Sequence, residues 1–361
     1  MAAVAPAEIG QMKAFHFSEP GPPSVMTLTN IPKPELRPTD VLILVKAVSV
    51  NPIDCKVRQG HMPKKSGVVG WDVSGMVVEL GAEAKEATVT EDGAEPLRVG
   101  DEVFAAGDIS RDGSYAHYVA IDHRLVARKP TSLSHEEAAA FPLVSLTAYE
   151  SLVELAHVSP LTGDDASSSS ASTAVRQRLL IIGGAGGVGS LAIQLAKQHL
   201  GMEVVATASR PETESWCRKL GADHVISHRL PLLPQLQADG VGGCVDVILC
   251  CAEPDGSIAQ WPDLLNPLGR AVSILSPGAA VDFSPWFLKR LSFSLEIMFS
   301  RSLFQHQPQC QGAILRTVAA LIDRKRIAPI RTRTLPWTQA QEAHTFQETG
   351  RSIGKQVLLV D

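Results

Sequence analysis

Three glycines near the middle of the chain have the spacing of a phosphate-binding turn. Gly184, Gly186 and Gly189 fit G-x-G-x-x-G, follow a run of four apolar residues at 179–182 and precede apolar residues at helical spacing. In such a strand–turn–helix unit the first glycine forms the bend, the second lets the backbone approach a pyrophosphate, and the third lets helix and strand pack closely. The start of the helix then attracts phosphate. The stretch predicts a nucleotide site; the alternative is an ordinary tight turn.

After this turn, apolar runs typical of strands alternate with helical stretches. The pattern predicts strands at 203–209, 224–228, 245–252, 269–275 and 294–299. Alternating strands and helices are typical of α/β folds with a doubly wound parallel sheet. We therefore expect this part of the chain to carry the nucleotide at the carboxyl ends of its strands.

The first 130 residues or so have a different pattern and predict a β-rich, barrel-like domain. Segments 99–108 and 114–121 alternate like antiparallel strands around Gly113. Segment 68–81 reads as a pair of strands broken at Gly70 and Gly75. A helical stretch follows, in which Ser134 and Glu137 have capping-box spacing.

The predicted domains are 1–145, 146–300 and 301–361, and the last of these returns to the first domain through a strand at its end. Segment 158–177 is rich in Ser, Thr and Asp and predicts a flexible surface insertion, with a modification site as the alternative.

Composition excludes several classes of function. The chain has 361 residues, a formal net charge of −5 and no basic block, which gives nucleic-acid binding no electrostatic support. Its six cysteines form no C-x-x-C pair, which favours a reduced protein without a disulfide framework. No apolar run reaches membrane-spanning length, and residues 1–11 lack the features of a signal or transit peptide. We expect a cytoplasmic protein that acts on a small molecule.

Several motifs resemble those of the medium-chain dehydrogenase/reductase superfamily, specifically its zinc-free quinone oxidoreductase and enoyl reductase branch. The resemblance runs from residue 12 to residue 360 and rests on NPIDCKVR, GWDVSG, VGDEVFA, AAAFPLVSLTAYESL, GGAGGVGSLAIQLAK, LGADHVI, MFSRSLFQ and GKQVLLV. It implies a Rossmann doubly wound parallel sheet joined to a β-rich GroES-like catalytic domain. It also implies a nicotinamide cofactor in the cleft and a homodimer.

The resemblance also bears on zinc. The superfamily's alcohol dehydrogenases hold a catalytic zinc ion through Cys, His and Cys. Matched motif by motif, these positions fall on Asn51, Trp71 and Leu143. None of the three is an ordinary zinc ligand. We therefore predict an enzyme without a metal site.

Cofactor preference is predicted from the end of the strand that follows the glycine turn. An NAD site has an acidic residue there, about 20 residues after the glycines, for the ribose 2′-OH. This chain has Ser209 and Arg210, and the nearest carboxylate is Glu212. A hydroxyl and a guanidinium suit a 2′-phosphate, so we predict NADPH. The related branch usually has a lysine where this chain has Thr213. The alternative is an exposed helix start with no role in binding.

Two residues of the NPIDCKVR motif are candidates for catalysis. Asn51 is placed by the motif to hydrogen-bond the nicotinamide ribose or the substrate, and its alternative role is to cap the turn before Pro52. Lys56 stands where the branch often has a substrate-facing tyrosine. It could donate a proton or polarise a carbonyl, and its alternative is a solvated lysine.

The resulting prediction is a zinc-independent, NADPH-dependent oxidoreductase that transfers hydride to a quinone or to the activated C=C of an α,β-unsaturated carbonyl. The alternatives are a trans-acting enoyl reductase or dehydrogenase of polyketide or secondary metabolism, and a non-catalytic NADPH-binding protein. The predicted cofactor-binding residues are Gly184, Gly186, Gly187, Val188, Gly189, Ser209, Arg210, His228, Ile274, Ser276, Met298 and Phe299.

Overall fold

The computed structural model describes residues 10–90, 93–161, 176–238 and 242–361. The chain divides into two compact units. The first contains the described residues up to Leu143 together with Phe299–Arg324 and Pro329–Asp361. The second contains the described residues of Val144–Met298 together with Lys325–Ala328. Most of the predicted insertion at 158–177 lies outside the described residues.

The described part of the chain forms sixteen strands. They are β1 Gln11–Phe17, β2 Thr27–Pro32, β3 Asp40–Val50, β4 Gly67–Val68, β5 Val73–Leu80, β6 Glu102–Ala105, β7 Tyr118–Asp122, β8 Val126–Arg128, β9 Arg178–Ile182, β10 Glu203–Thr207, β11 His224–Ile226, β12 Val245–Cys250, β13 Leu265–Ser273, β14 Ser292–Leu295, β15 Arg331–Pro336 and β16 Lys355–Leu359.

The α-helices of the same residues are mostly short. They are α1 Pro52–Arg58, α2 Ala82–Glu86, α3 His135–Ala138, α4 Pro142–Tyr149, α5 Gly187–Gln198, α6 Pro211–Lys219, α7 Leu232–Gln237, α8 Trp261–Leu264, α9 Ser284–Phe287, α10 Ser300–Leu303, α11 Gln309–Asp323 and α12 Ala340–Glu348. A π-helical turn, Glu150–Leu155, extends α4. The predicted capping box is confirmed, since the Glu137 N–H donates to Ser134 Oγ at 3.2 Å and the Ser134 N–H donates to Glu137 Oε2 at 3.2 Å.

The second unit is built on a six-stranded sheet in the order β11-β10-β9-β12-β13-β14. All neighbouring strands are parallel, so the predicted doubly wound sheet is confirmed. The strands read as continuous apolar runs because helices cover both faces of such a sheet. One face buries a core that includes Leu180, Ile248, Trp261 and Trp286. The last strand was predicted at 294–299, whereas β14 ends at Leu295; the Glu296 N–H still donates to the Ser273 carbonyl of β13 at 2.9 Å.

The first unit is built mainly on antiparallel strands, as predicted for its β-rich part. One sheet has the order β15-β16-β3-β5-β6-β8, with β7 also on β3, and a second has the order β2-β1-β4. Strand β16 runs antiparallel to β3, pairing Gln356 with Val50, and so brings the end of the chain beside α1. The two alternating segments around Gly113 contain the antiparallel strands β6 and β7, which do not pair with each other. β6 pairs with β5 and β8, whereas β7 pairs with β3.

A second correction concerns Gly75, which lies inside β5 rather than between two strands. A Cβ at this position would lie 2.2 Å from the Leu44 carbonyl oxygen, so glycine is needed where β5 lies close beside its neighbour β3. Gly70 has φ +98° and is packed against the Tyr115 ring. This turn places Trp71 and Asp72 directly before β5. Among the residues that the structure describes, no helix is long and apolar enough to cross a membrane.

Candidate active site

The glycine turn between β9 and α5 has the geometry that its sequence predicts. A Cβ on Gly189 would lie 2.5 Å from the Gly183 carbonyl oxygen, and one on Gly184 would lie 2.8 Å from Ala206 Cβ. Both positions therefore need glycine for close packing. A Cβ on Gly186 would meet only the Gly183 oxygen, at 3.6 Å, so the backbone is open on that side. These spaces fit a pyrophosphate held against the turn.

The start of α5 supplies hydrogen-bond donors at the same place. The first bond that closes the helix runs from the Ser190 N–H to the Gly186 carbonyl at 2.8 Å. The N–H groups of Gly187, Val188 and Gly189 precede this bond and point beyond the helix end. No side chain caps them. Unsatisfied N–H donors at the positive end of a helix dipole have the chemistry to bind a phosphate.

The residues predicted to read the ribose lie at the end of β10. Ser209 and Arg210 are half-buried, and Arg210 is the residue that precedes α6. The Thr213 hydroxyl accepts from the Arg210 N–H at 3.1 Å and donates to the Arg210 carbonyl at 2.7 Å. The Arg210 Nε lies 3.1 Å from Glu212 Oε1. The main chain of Arg210 is thus fixed by Thr213, and its guanidinium pairs with a carboxylate.

The first unit contains a buried polar cluster around Asp72, which directly precedes β5. Asp72 is fully buried, and its Oδ2 accepts from Ser49 Oγ at 2.5 Å, from Asn51 Nδ2 at 2.8 Å and from Lys355 Nζ at 3.1 Å. Its Oδ1 accepts from the Leu143 N–H at 2.7 Å. One carboxylate therefore joins β3, α1, α4 and β16.

Lys355 is the buried cation of this cluster. Its side chain is 3 % exposed, and its ammonium donates to Asp72 Oδ2, to the Val50 carbonyl at 3.2 Å and to Asn51 Oδ1. The carboxamide of Asn51 is thus held at both ends, since its oxygen accepts from Lys355 and its Nδ2 donates to Asp72. A buried ion pair needs this kind of complete hydrogen bonding to offset its desolvation.

A second buried series of hydrogen-bonded polar groups starts at Asp54, in the first turn of α1. Its Oδ2 accepts from the Asn51 N–H at 2.7 Å and from the Tyr115 hydroxyl at 3.5 Å. Its Oδ1 has no hydrogen-bond partner among the described residues. Burial raises the pKa of Asp54 to about 7.

This row of polar groups continues from Tyr115 to His344 in α12. The His344 Nε2 lies 3.3 Å from the Tyr115 hydroxyl. The Arg58 Nε–H donates to His344 Nδ1 at 3.3 Å, so the imidazole proton lies on Nε2. Burial lowers the pKa of His344 to about 3 and keeps the ring neutral, and burial raises the pKa of Tyr115 well above its usual value. Arg58 pairs in turn with Glu348, which is 28 % exposed. A row of hydrogen bonds thus connects the start of α1 with the surface.

Comparison with known proteins identifies the family. Residues 37–131 match the alcohol dehydrogenase GroES-like domain, and residues 220–358 match the zinc-binding dehydrogenase family. The chain is 32 % identical over 330 residues to a zinc-type alcohol dehydrogenase-like protein of Staphylococcus aureus, covering 90 % of this chain and 92 % of that protein. The chain belongs to the medium-chain dehydrogenase/reductase superfamily.

Two further relatives show the range of activities named in this superfamily. The 2-methylene-furan-3-one reductase of Solanum lycopersicum is 31 % identical over 367 residues, covering 96 % of this chain and 79 % of that protein. The structure of the quinone oxidoreductase from Coxiella burnetii matches with a TM-score of 0.77 at 29 % identity, covering 97 % and 100 % of the two chains. The protein is therefore an oxidoreductase of this superfamily, and its glycine turn fits a nicotinamide cofactor.

The residues at the zinc positions of this dehydrogenase/reductase do not fit zinc. Both ends of the Asn51 amide are engaged by Lys355 and Asp72. The Trp71 indole N–H donates to the Asp108 carbonyl at 3.0 Å and has no lone pair to offer. Leu143 has no donor atom in its side chain. In the described ranges, no group of three or more His, Cys, Asp or Glu side chains could hold a metal ion.

Lys56 lies in the last turn of α1, five residues after Asn51. Its side chain is half-buried and makes no hydrogen bond or ion pair with the described residues. It is therefore an ammonium on the helix that begins beside the buried cluster. Its catalytic role, like that of Asn51, stays a prediction.

The remaining predicted cofactor residues are of two kinds. Met298 and Phe299 are buried, and Phe299 packs edge-on against Trp71 with ring centroids 6.0 Å apart. Ile274 is half-buried and directly follows β13, whereas His228 and Ser276 are exposed in loops. Their contact with a cofactor stays a prediction.

The sequence analysis missed Asp72, Lys355, Asp54, Tyr115 and His344. Three of them stand in motifs that it quoted, Asp54 in NPIDCKVR, Asp72 in GWDVSG and Lys355 in GKQVLLV. A lone charged residue within an apolar run was the available signal, because such a charge is seldom buried without a partner. Tyr115 and His344 left no comparable signal.

One arrangement elsewhere in the first unit has the appearance of a hydrolytic triad. Ser74 Oγ lies 2.8 Å from His135 Nδ1, and His135 Nε2 lies 3.2 Å from Glu102 Oε1. Ser74 is fully buried in β5, and its hydroxyl also donates to the Val103 carbonyl at 3.1 Å. No substrate reaches this hydroxyl, so the three residues tie α3 to the sheet.

Proposed function

We propose that this protein is a zinc-independent reductase that uses NADPH to reduce a quinone or the activated C=C bond of an α,β-unsaturated carbonyl. The observation that carries the proposal is the donor set at the zinc positions, where a fully engaged amide, an indole and an aliphatic side chain stand. Reduction of a plain ketone in such a site lacks a Lewis acid. Quinones and enones need less activation, because hydride addition places the charge on an oxygen that N–H donors can hold.

The cofactor part of the proposal rests on the second unit. The turn at Gly184–Gly189 would hold the pyrophosphate, and Arg210 would bind the 2′-phosphate through charge-assisted hydrogen bonds. A bound NADPH supplies the hydride. The absence of a carboxylate at Ser209 supports NADPH over NADH, because an NAD site uses an acidic residue there.

The proton would come from Lys56. Addition of hydride to the β-carbon of an enone leaves an enolate, which must take a proton on its α-carbon. Lys56 is a half-buried ammonium that no described residue engages. A positioned ammonium can donate this proton or hold the carbonyl oxygen. Quinones can take protons from water at their oxygens, so they depend less on such a group.

The proposal is tested with a panel of quinones, enones and enoyl thioesters, followed by the loss of NADPH and NADH absorbance. We expect turnover of quinones or enones, a preference for NADPH, no stoichiometric zinc in protein purified without chelator, and unchanged activity after chelator treatment. One tightly bound zinc per chain with chelator-sensitive turnover would overturn the zinc-free reading. Turnover of enoyl thioesters alone would favour a trans-acting enoyl reductase, and cofactor binding without any turnover would favour a non-catalytic NADPH-binding protein.

Three further expectations remain proposals from the sequence. They are assembly as a homodimer, a cytoplasmic location, and the lack of nucleic-acid and membrane partners. Light scattering of the purified chain tests the first of these.

A further inference from the structure

The pairing of Arg210 with Glu212 affects which cofactor the site prefers. The side chains are 29 % and 57 % exposed, and the Nε edge of the guanidinium lies 3.1 Å from Glu212 Oε1. The main chain of Arg210 is fixed by the Thr213 hydroxyl, which binds both its N–H and its carbonyl. The guanidinium therefore starts from a fixed point and already has a carboxylate on one edge.

We propose that Glu212 is a specificity-determining residue of the cofactor site, which weakens the preference of this enzyme for NADPH over NADH. The inference rests on the proposed function, in which Arg210 binds the 2′-phosphate. A phosphate and a carboxylate compete for the same guanidinium N–H groups. The Glu212 carboxylate also repels a phosphate placed a few ångströms away.

The same carboxylate has the chemistry to favour NADH. In sites that bind NAD, an acidic residue after the second strand accepts hydrogen bonds from the ribose hydroxyl. Glu212 stands three residues beyond Ser209 and is more exposed than Arg210. The pair thus offers a guanidinium to a 2′-phosphate and a carboxylate to a 2′-hydroxyl.

The chain offers a matched control on the same helix. Glu214 is exposed in the first turn of α6, like Glu212, but forms no ion pair with Arg210. Glu214→Gln removes the same charge from the same helical turn and leaves the Arg210–Glu212 contact in place. It therefore separates the effect of the contact from the general effect of negative charge near the phosphate.

The test measures the dissociation constants of NADPH and NADH by fluorescence titration, with 2′,5′-ADP and 5′-AMP as probes of the phosphate alone. Glu212→Gln should tighten binding of NADPH and 2′,5′-ADP by about three- to tenfold, because a surface ion pair and a local repulsion are both removed. Binding of NADH and 5′-AMP should stay equal or weaken. Glu214→Gln should change NADPH binding by less than about twofold, because solvent and salt screen its charge.

Arg210→Ala separates the two proposals. If it leaves NADPH binding unchanged, Arg210 does not bind the 2′-phosphate, and both the cofactor assignment and the inference about Glu212 are overturned. Suppose instead that Arg210→Ala weakens NADPH binding. If Glu212→Gln then tightens the binding of NADPH and NADH equally, or changes the binding of neither, only the inference is overturned. In the Arg210→Ala background, Glu212→Gln should lose most of its effect, and an undiminished effect would also refute the competition.

Discussion

Replacement of Asp54 by Asn should change how the stability of the protein depends on pH. Asp54 is fully buried beside Asn51, and one of its oxygens lacks a hydrogen-bond partner among the described residues. Burial raises its pKa from 3.8 to about 7. In the unfolded chain the carboxyl group ionises near its ordinary value, so the two states hold its proton over different pH ranges.

The sign and size of the effect follow from this difference. Between about pH 4 and pH 7 the folded protein keeps a proton that the unfolded chain has lost, so the free energy of unfolding falls as pH rises through this window. Below pH 4 and above pH 7 the contribution of Asp54 is constant. A difference of about three between the pKa values, at about 1.36 kcal/mol per pKa unit, corresponds to about 4 kcal/mol.

Asn at position 54 keeps an oxygen for the Asn51 N–H but cannot ionise. We expect the stability of Asp54→Asn relative to the wild type to rise by about 4 kcal/mol between pH 4 and pH 7.5. Denaturant unfolding of both proteins at each pH measures the difference, in which the other ionisable groups cancel. Tyr115→Phe serves as a control, because it removes a hydrogen bond that lowers the pKa of Asp54 and should move the window to higher pH. Parallel curves for Asp54→Asn and the wild type would refute the reasoning.

Three further substitutions test other parts of the site. Lys355→Met should destabilise the protein by about 3–5 kcal/mol, because it leaves the Asp72 carboxylate buried without its cation, and the added substitution Asp72→Asn should recover most of this loss in urea unfolding. Lys56→Met should lower enone turnover by about tenfold or more and change quinone turnover by less than about twofold, because only the enone needs a proton on carbon; equal losses for both acceptors would contradict its role as proton donor. Gly189→Ala should abolish NADPH binding in a fluorescence titration, because the new Cβ would lie 2.5 Å from a backbone oxygen and push α5 away from the turn; retained affinity would show that the turn tolerates the shift.

The glycine turn could be predicted because all of its determinants are local. Strand, turn and helix lie within the 21 residues of 178–198, and the need for glycine at 184 and 189 follows from contacts within that segment and with the next strand. The capping box at Ser134 was predictable for the same reason. Both depend on the spacing of neighbouring residues, which a sequence displays directly.

The buried cluster could not be predicted in this way. Lys355 and Asp72 are separated by 283 positions and meet only because β16 pairs with β3. The alternation of apolar and polar residues identifies the faces of a strand but not its neighbour in the sheet. The same limit applies to segments 99–108 and 114–121, whose alternation is typical of antiparallel strands but does not identify their partners; β6 adds to β5, whereas β7 adds to β3.

The Asp72 cluster lies beside the three positions that correspond to the zinc ligands of the family's alcohol dehydrogenases. A zinc ion there would link the start of α1, the start of β5 and the start of α4, which carry Asn51, Trp71 and Leu143. In this chain Asp72 links the same three places, because it directly follows Trp71 and accepts from Asn51 Nδ2 and from the Leu143 N–H. Lys355 supplies the positive charge that balances this carboxylate. All three ammonium donors are used inside the cluster, so this charge holds the fold together but is not free to polarise a substrate. Under the proposed function, the electrophile would therefore have to be activated by its own chemistry, which favours quinones and conjugated carbonyls.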